Sequence, residues 1–229
     1  MLNVCFKRAF NFYKIMANNN NKTRQSILDS ACLVFSEKGY HRATIDEICK
    51  AAGANIALVN YYFGDKASLY DAVWKQSFDC TSKKFPLDGG SGGSGSPQER
   101  LGTVIHAMLK RVFATDNCGI FSRLMVQEMA CPTLTLSNIV DRAIRPQSDH
   151  ICSILRELLG GDKIEQRIIN EYMISIMGQC IIFASNRPLR SQLLAKNDFF
   201  EKDVERLADH ITRFSLAGLE AAKRDPNQV

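Results

Sequence analysis

No run of 18 or more apolar residues occurs in the 229-residue chain, so nothing in it reads as a membrane span. The first fifteen residues hold Lys7 and Arg8, but Phe10, Phe12 and Tyr13 follow broken by Asn and Lys, which is not a signal-peptide core. Cysteine is present without cysteine chemistry: of Cys5, Cys32, Cys49, Cys80, Cys118, Cys131, Cys152 and Cys180 no two lie closer than 13 positions, and no Cys-x-x-Cys or zinc spacing appears. Most of them fall within apolar helical patterns, which reads as reduced core thiols of a cytoplasmic protein. A metal or redox sensor built on them is the alternative. His41, His106, His150 and His210 are scattered without triad or metal spacing, so neither an enzyme nor a resident metal or cofactor is expected.

Charge of one sign is missing from most of the chain. Residues 1–84 hold 12 Lys and Arg against 7 Asp and Glu, whereas residues 85–229 hold 17 of each. The whole surplus of the +5 net charge therefore sits at one end. A basic end on a neutral body suits a polyanion-binding module, and suits an ordinary solvated face equally. With 45% hydrophobic residues the chain can bury a real core in one large domain or two small ones.

Strand signals are nearly absent, and helical ones run almost throughout. Ile27, Leu28, Ala31, Val34 and Phe35 recur at helical spacing before Gly39. Thr44 to Glu47 is a capping box that starts a second helix, with Ile45, Ile48, Cys49 and Ala52 on one face and Gly53 as its stop. Asn55 caps a third, with Leu58, Val59, Tyr62 and Phe63 as apolar contacts before Gly64. Two short helices about a tight turn, all within twenty residues, form the helix-turn-helix pattern. Asp65 then caps a fourth helix carrying Leu69, Tyr70, Val73, Trp74 and Phe78.

Residues 88–96 are a Gly/Ser tract and the expected domain boundary. Its matches to GxSxG (89–93) and GxGxxG (90–95) follow no strand and carry no meaning. Beyond it Ser96, Pro97 and Glu99 open a helix through Ala114. Further helices are expected over 118–130, 133–159 with a kink at Pro146, 164–186 and 199–223, the last two starting near Asp162 and Asp198. The predicted fold is all-α. It divides into a basic flexible arm (1–21), a three-helix helix-turn-helix domain with its connecting helix (22–84), a flexible linker (85–96) and a helical domain (97–229). Met16, followed by Ala17 and four asparagines, is a second candidate start, which would leave 1–15 outside the native protein.

From Thr23 to Tyr70 the sequence resembles the DNA-binding domain of the TetR family of bacterial repressors. Ile27, Ala31, Phe35, Gly39, Tyr40, Thr44, Ile45, Ile48, Ala51, Ala52, Gly53, Phe63, Lys66 and Leu69 match in register. Asn60 stands where that family commonly has tyrosine. The C-terminal part resembles the CecR-type branch through Glu128–Thr133, Arg145–Gln147 and Gly178–Cys180. The resemblance implies a homodimer with two recognition helices in successive major grooves of operator DNA, released when a small molecule enters the C-terminal domain.

On physical grounds the outward face of the third helix, Asn55, Ile56, Ala57, Asn60, Tyr61 and Tyr62, would read bases, and Arg42, Thr44 and Lys66 would hold phosphates. Thr44 and Lys66 stand at helix starts, where free amides and a positive dipole end meet an anion. For the effector, Phe121, Met125, Met129, Tyr172, Met173, Met177 and Phe183 offer soft apolar walls. They would equally make plain core, but Arg123, Glu128 and Gln179 among them favour a pocket for a small, mostly apolar molecule with one or two polar groups. Dimerisation would use Ile168, Ile174, Ile181 and Ile182 with Leu207, Ile211, Phe214 and Leu219 in a four-helix bundle.

Overall fold

The computed structural model describes the backbone of residues 2–161, 163–183, 187–194 and 199–224, and side chains from residue 20 onward within these except 187–189. Eleven α-helices and no strand are found among the described residues. They are α1 (Leu2–Arg42), α2 (Ile45–Ala52), α3 (Ile56–Phe63), α4 (Lys66–Lys84), α5 (Pro97–Phe113), α6 (Ile120–Ala130), α7 (Leu136–Ile139), α8 (Arg145–Leu159), α9 (Gln166–Ile182), α10 (Arg187–Leu194) and α11 (Val204–Arg224). Among the described residues no helix is long and apolar enough to cross a membrane.

The chain divides into two compact units, residues 1–76 and 77–229. That division falls inside α4, not at the Gly/Ser tract where composition points. In the first unit α1 packs on α2 and α3. Ile27, Ala31 and Phe35 of α1, Ile48 of α2, Val59 of α3 and Leu69, Tyr70 and Val73 of α4 are all essentially sealed from solvent. Each buried Ile, Leu, Val or Phe among them contributes about 1.5–3 kcal/mol of transfer free energy. The Phe35 and Tyr70 rings meet edge-on at 4.9 Å, and Tyr40 lies a further 4.9 Å from Tyr70.

Residues 2–21, expected as a flexible arm, are helical and continuous with α1. No glycine or proline separates them from Thr23, and each polar residue there costs a helix only tenths of a kcal/mol. Gly39 does interrupt α1, at φ 76.

The second unit is built on α5, α8, α9 and α11, whose inward residues form one core from Leu101, Ile105, Ile154, Leu155, Ile176, Leu207 and Ile211. The expected kink before Pro146 is a five-residue π turn, Val140–Ile144, in which the Arg145 amide donates to the Val140 carbonyl. Pro146 has no N–H for the carbonyl one turn back, so the winding widens just ahead of it. α9 ends at Ile182 and is followed by a separate helix, α10, where one helix to residue 186 was expected. The expected caps Asp162 and Asp198 lie outside the described residues.

The Gly/Ser tract belongs to this unit as a succession of turns. Asp88 caps it through the Gly90 amide at 3.0 Å, and Ser91 donates to the Asp88 carbonyl at 2.6 Å. Gly89 has φ +65, and a Cβ there would lie 2.7 Å from Cγ2 of Thr103 on α5. The segment is packed turn rather than spacer. Two cysteines also depart from the expectation of free thiols: Cys80 of α4 and Cys118, beside α6, are disulfide-bonded with Cα atoms 5.3 Å apart.

Candidate functional site

The exposed face of the first unit begins with two well-capped short helices. The Thr44 hydroxyl accepts from the Glu47 amide at 3.2 Å, and the Thr44 amide donates to Glu47 Oε2 at 3.0 Å. Lys38 donates to the other oxygen of Glu47 at 2.6 Å. Those two bonds, from Lys38 first and then from the Thr44 backbone, hold the Glu47 carboxyl below its ordinary range. Gly53, at φ 63, closes α2 in the left-handed region and gives its amide to the Cys49 and Lys50 carbonyls. Asn55 then caps α3, its Oδ1 accepting from the Leu58 amide at 3.0 Å.

α3 is anchored by Val59 and Phe63, both buried. Its opposite side is open: Asn55, Ile56, Ala57, Asn60 and Tyr61 are exposed, Tyr61 to 74%. Tyr62 is only half-buried, and its hydroxyl donates to Asn20 Oδ1 on α1 at 3.1 Å, so its polar end is engaged within the protein. Lys66, at the first turn of α4, holds its ammonium 4.5 Å from the Tyr40 ring centroid, and partial burial lowers its pKa. Arg42 is exposed and donates to the Lys38 carbonyl at 3.0 Å. Arg24 of α1 lies over the Phe63 ring at 4.9 Å.

In the second unit a cavity of about 80 Å³ opens between α5, α6, α8 and α9. Met108 of α5, Phe121 and Met125 of α6, and Met177 and Ile181 of α9 form its apolar wall. Three polar side chains share that wall: Arg111, Ser122 and Gln147. Arg111 is 5% exposed. Its Nε donates to the Phe85 carbonyl at 2.8 Å, and its Nη1 to Gln147 Oε1. Burial pushes the guanidinium down to about 10, which leaves it charged at neutral pH.

A model of the C-terminal domain of the HTH-type transcriptional dual regulator CecR matches residues 97–219, more than half of the chain. The model of the tetR family of bacterial regulatory proteins matches residues 27–73. The chain belongs to the TetR family. Its relatives include the HTH-type transcriptional repressor NicS of Pseudomonas putida, 24% identical over 92% of this chain and 97% of that one. The probable HTH-type transcriptional regulator YttP of Bacillus subtilis is 29% identical over 38% of this chain, which spans only 42% of that protein. Among solved folds, FadR of Bacillus subtilis in complex with stearoyl-CoA superposes with a TM-score of 0.64 at 17% identity, covering 85% of this chain and 98% of that one.

As a TetR-family protein the chain is a transcriptional regulator that binds DNA, with a helix-turn-helix at its N-terminal end and a helical domain after it. The family consists of regulators rather than enzymes. Within this TetR fold, the expected base-reading residues other than Tyr62 share one exposed face. Thr44 differs from expectation in one respect: its own amide is already given to Glu47 and is not free.

The expected effector residues divide. Phe121, Met125 and Met177 lie on the cavity wall. Arg123 and Met129 are exposed, Met129 to 63%, on the outer side of α6. Glu128 is buried but turned to Thr133, whose amide and hydroxyl both reach its Oε1 at 2.7 Å. Tyr172 and Met173 pack half-buried against the core of the unit, Gln179 donates to the Ser175 carbonyl, and Phe183 meets Phe199 edge-on at 5.2 Å. Helical periodicity finds the apolar side of α6 and α9 but not which members border empty space. Arg24 and Arg111 were missed, since a basic residue within a helical pattern reads as solvated. The one available signal for Arg111 was its place among Leu109, Val112 and Phe113.

Proposed function

We propose that two copies of this regulator pair on a palindromic operator as a repressor, and that a small, mostly apolar effector in the second-unit cavity releases it. The observation that carries the reading is the face of α3, open at Asn55, Ile56, Ala57, Asn60 and Tyr61 while Val59 and Phe63 hold the helix from behind. An eight-residue helix is not stable alone, so buried anchors free its other side for DNA. Asn60 would make paired hydrogen bonds to adenine, and Ile56 or Ala57 would meet a thymine methyl. Lys66, Arg42 and the Thr44 hydroxyl would hold phosphates and fix the register.

Pairing is supported by Ile174 and Ile182 of α9 and Phe214 of α11, exposed to 64%, 58% and 65%. Leu207, Ile211 and Leu219 instead face the core of their own unit, and Ile181 faces the cavity. The dimer stripe is thus narrower than periodicity suggests. Operator and effector oppose each other reciprocally: whatever factor the effector takes from operator affinity, the operator takes from effector affinity. Such a protein works where its DNA is, in the cytoplasm, and needs no metal or cofactor.

Selection of bound sequences from a random DNA pool tests the reading. A palindrome with half-sites about 34–36 Å apart, one helical turn, is the expected result. A pool without enrichment overturns it.

A second reading, redox control, is favoured by the Cys80–Cys118 pair, because cytoplasmic disulfides are characteristically transient or redox-sensing. Operator affinity compared under reducing and oxidising conditions separates the two. A change that Cys80→Ser abolishes supports redox control, and equal affinities remove it.

A further inference from the structure

Buried cations are paired in proteins, because an unpaired charge in an apolar interior costs several kcal/mol. Arg111 is as buried as a core residue, and among the described residues its side chain meets only neutral acceptors, the Phe85 carbonyl and Gln147 Oε1. The carboxylates nearest in sequence are engaged elsewhere. Asp116 pairs with Lys84 and caps the turn at Cys118, Glu99 accepts from the Ser96 amide and hydroxyl, and the buried Glu128 accepts from Thr133. A guanidinium has five N–H donors, of which these contacts use two. The rest remain on a side chain that borders the cavity.

We propose that the cavity's ligand is a small organic acid, its carboxylate held by Arg111 and its apolar body lying against Phe121, Met125 and Met177. This rests on the reading of the cavity as the effector site and names the chemical class that enters it. The guanidinium fork matches a carboxylate in two parallel hydrogen bonds, and Phe85 and Gln147 fix its orientation beforehand, so little side-chain entropy is lost on binding. Gln147 is itself held, its Nε2 donating to the Ala143 carbonyl at 2.6 Å in the π turn ahead of α8. The volume limits the body. About 80 Å³ is the space of roughly three waters at about 30 Å³ each, which limits the enclosed body to a short aliphatic chain or, at most, a single ring.

Calorimetric titration of the full chain with benzoate and hexanoate, against benzamide and hexanamide at matched ionic strength, tests it. Each acid is expected to bind about tenfold or more tightly than its amide, which has the same shape without the charge. Arg111→Met should erase that preference by weakening the acids alone, and Arg111→Lys should keep part of it. Should Arg111→Met fail to fold, the acid-to-amide ratio of the wild-type chain and of Arg111→Lys still decides. Equal binding of acids and amides overturns the anionic ligand and leaves the cavity as an effector site. Failure of all four compounds at millimolar concentration overturns both.

Discussion

Single side chains carry the electrostatics of the proposed DNA face. The Lys66 ammonium lies against Tyr40 and makes no ion pair among the described residues, a poise that a phosphate would complete. Lys66→Ala is expected to weaken operator and random DNA alike and to lower the salt slope of binding by about one. An unchanged slope in titrations at several salt concentrations would show that Lys66 meets no phosphate. Glu47 acts through folding instead. Its carboxyl is held down by Lys38 and the Thr44 amide, so its contribution is present above the ordinary carboxylate range and is lost as pH falls through the lowered folded value. Glu47→Gln should therefore destabilise the protein at pH 7, and the difference should shrink in denaturation series carried to acid pH. Of these features the capping box was legible in sequence, since it needs only Thr and Glu three apart. The Lys38 contact was not, because it joins α1 to α2.

Elements differ in how far their local chemistry decides them. α2 and α3 start and stop where Thr44, Gly53, Asn55 and Gly64 place them, because caps and left-handed turns are properties of the residue itself. The Gly/Ser tract went the other way. Composition makes it a spacer, yet Gly89 is packed close to Thr103 with positive φ. Gly89→Ala should cost more stability than Gly90→Ala, which has equally positive φ but no atom within 4 Å of the added Cβ. The left-handed strain alone is about 1–3 kcal/mol at each site, and chemical denaturation of the two variants would resolve the steric excess at Gly89. Equal losses would mean that the tract behaves as the spacer its composition suggests.

At the scale of the whole molecule, pairing of two chains is the property most open to test. Ile174→Glu and Phe214→Glu place charge on exposed apolar positions, so neither disturbs the core. Each is expected to shift sedimentation from dimer toward monomer and to lower operator affinity by more than tenfold, since a lone half-site keeps only part of the contacts. A wild-type chain that sediments as a monomer at micromolar concentration would sink the paired reading. The sequence by itself determined the helical class, the caps at Thr44, Asn55 and Ser96 and the face of α3, and it carried the family resemblance, because each depends on neighbours a few residues apart. Only the tertiary structure decided that the units divide within α4, that Cys80 meets Cys118, and that Arg111 is sealed beside a cavity. Those facts depend on segments distant in the chain, and periodicity, which says only that a face is apolar, does not say what will cover it.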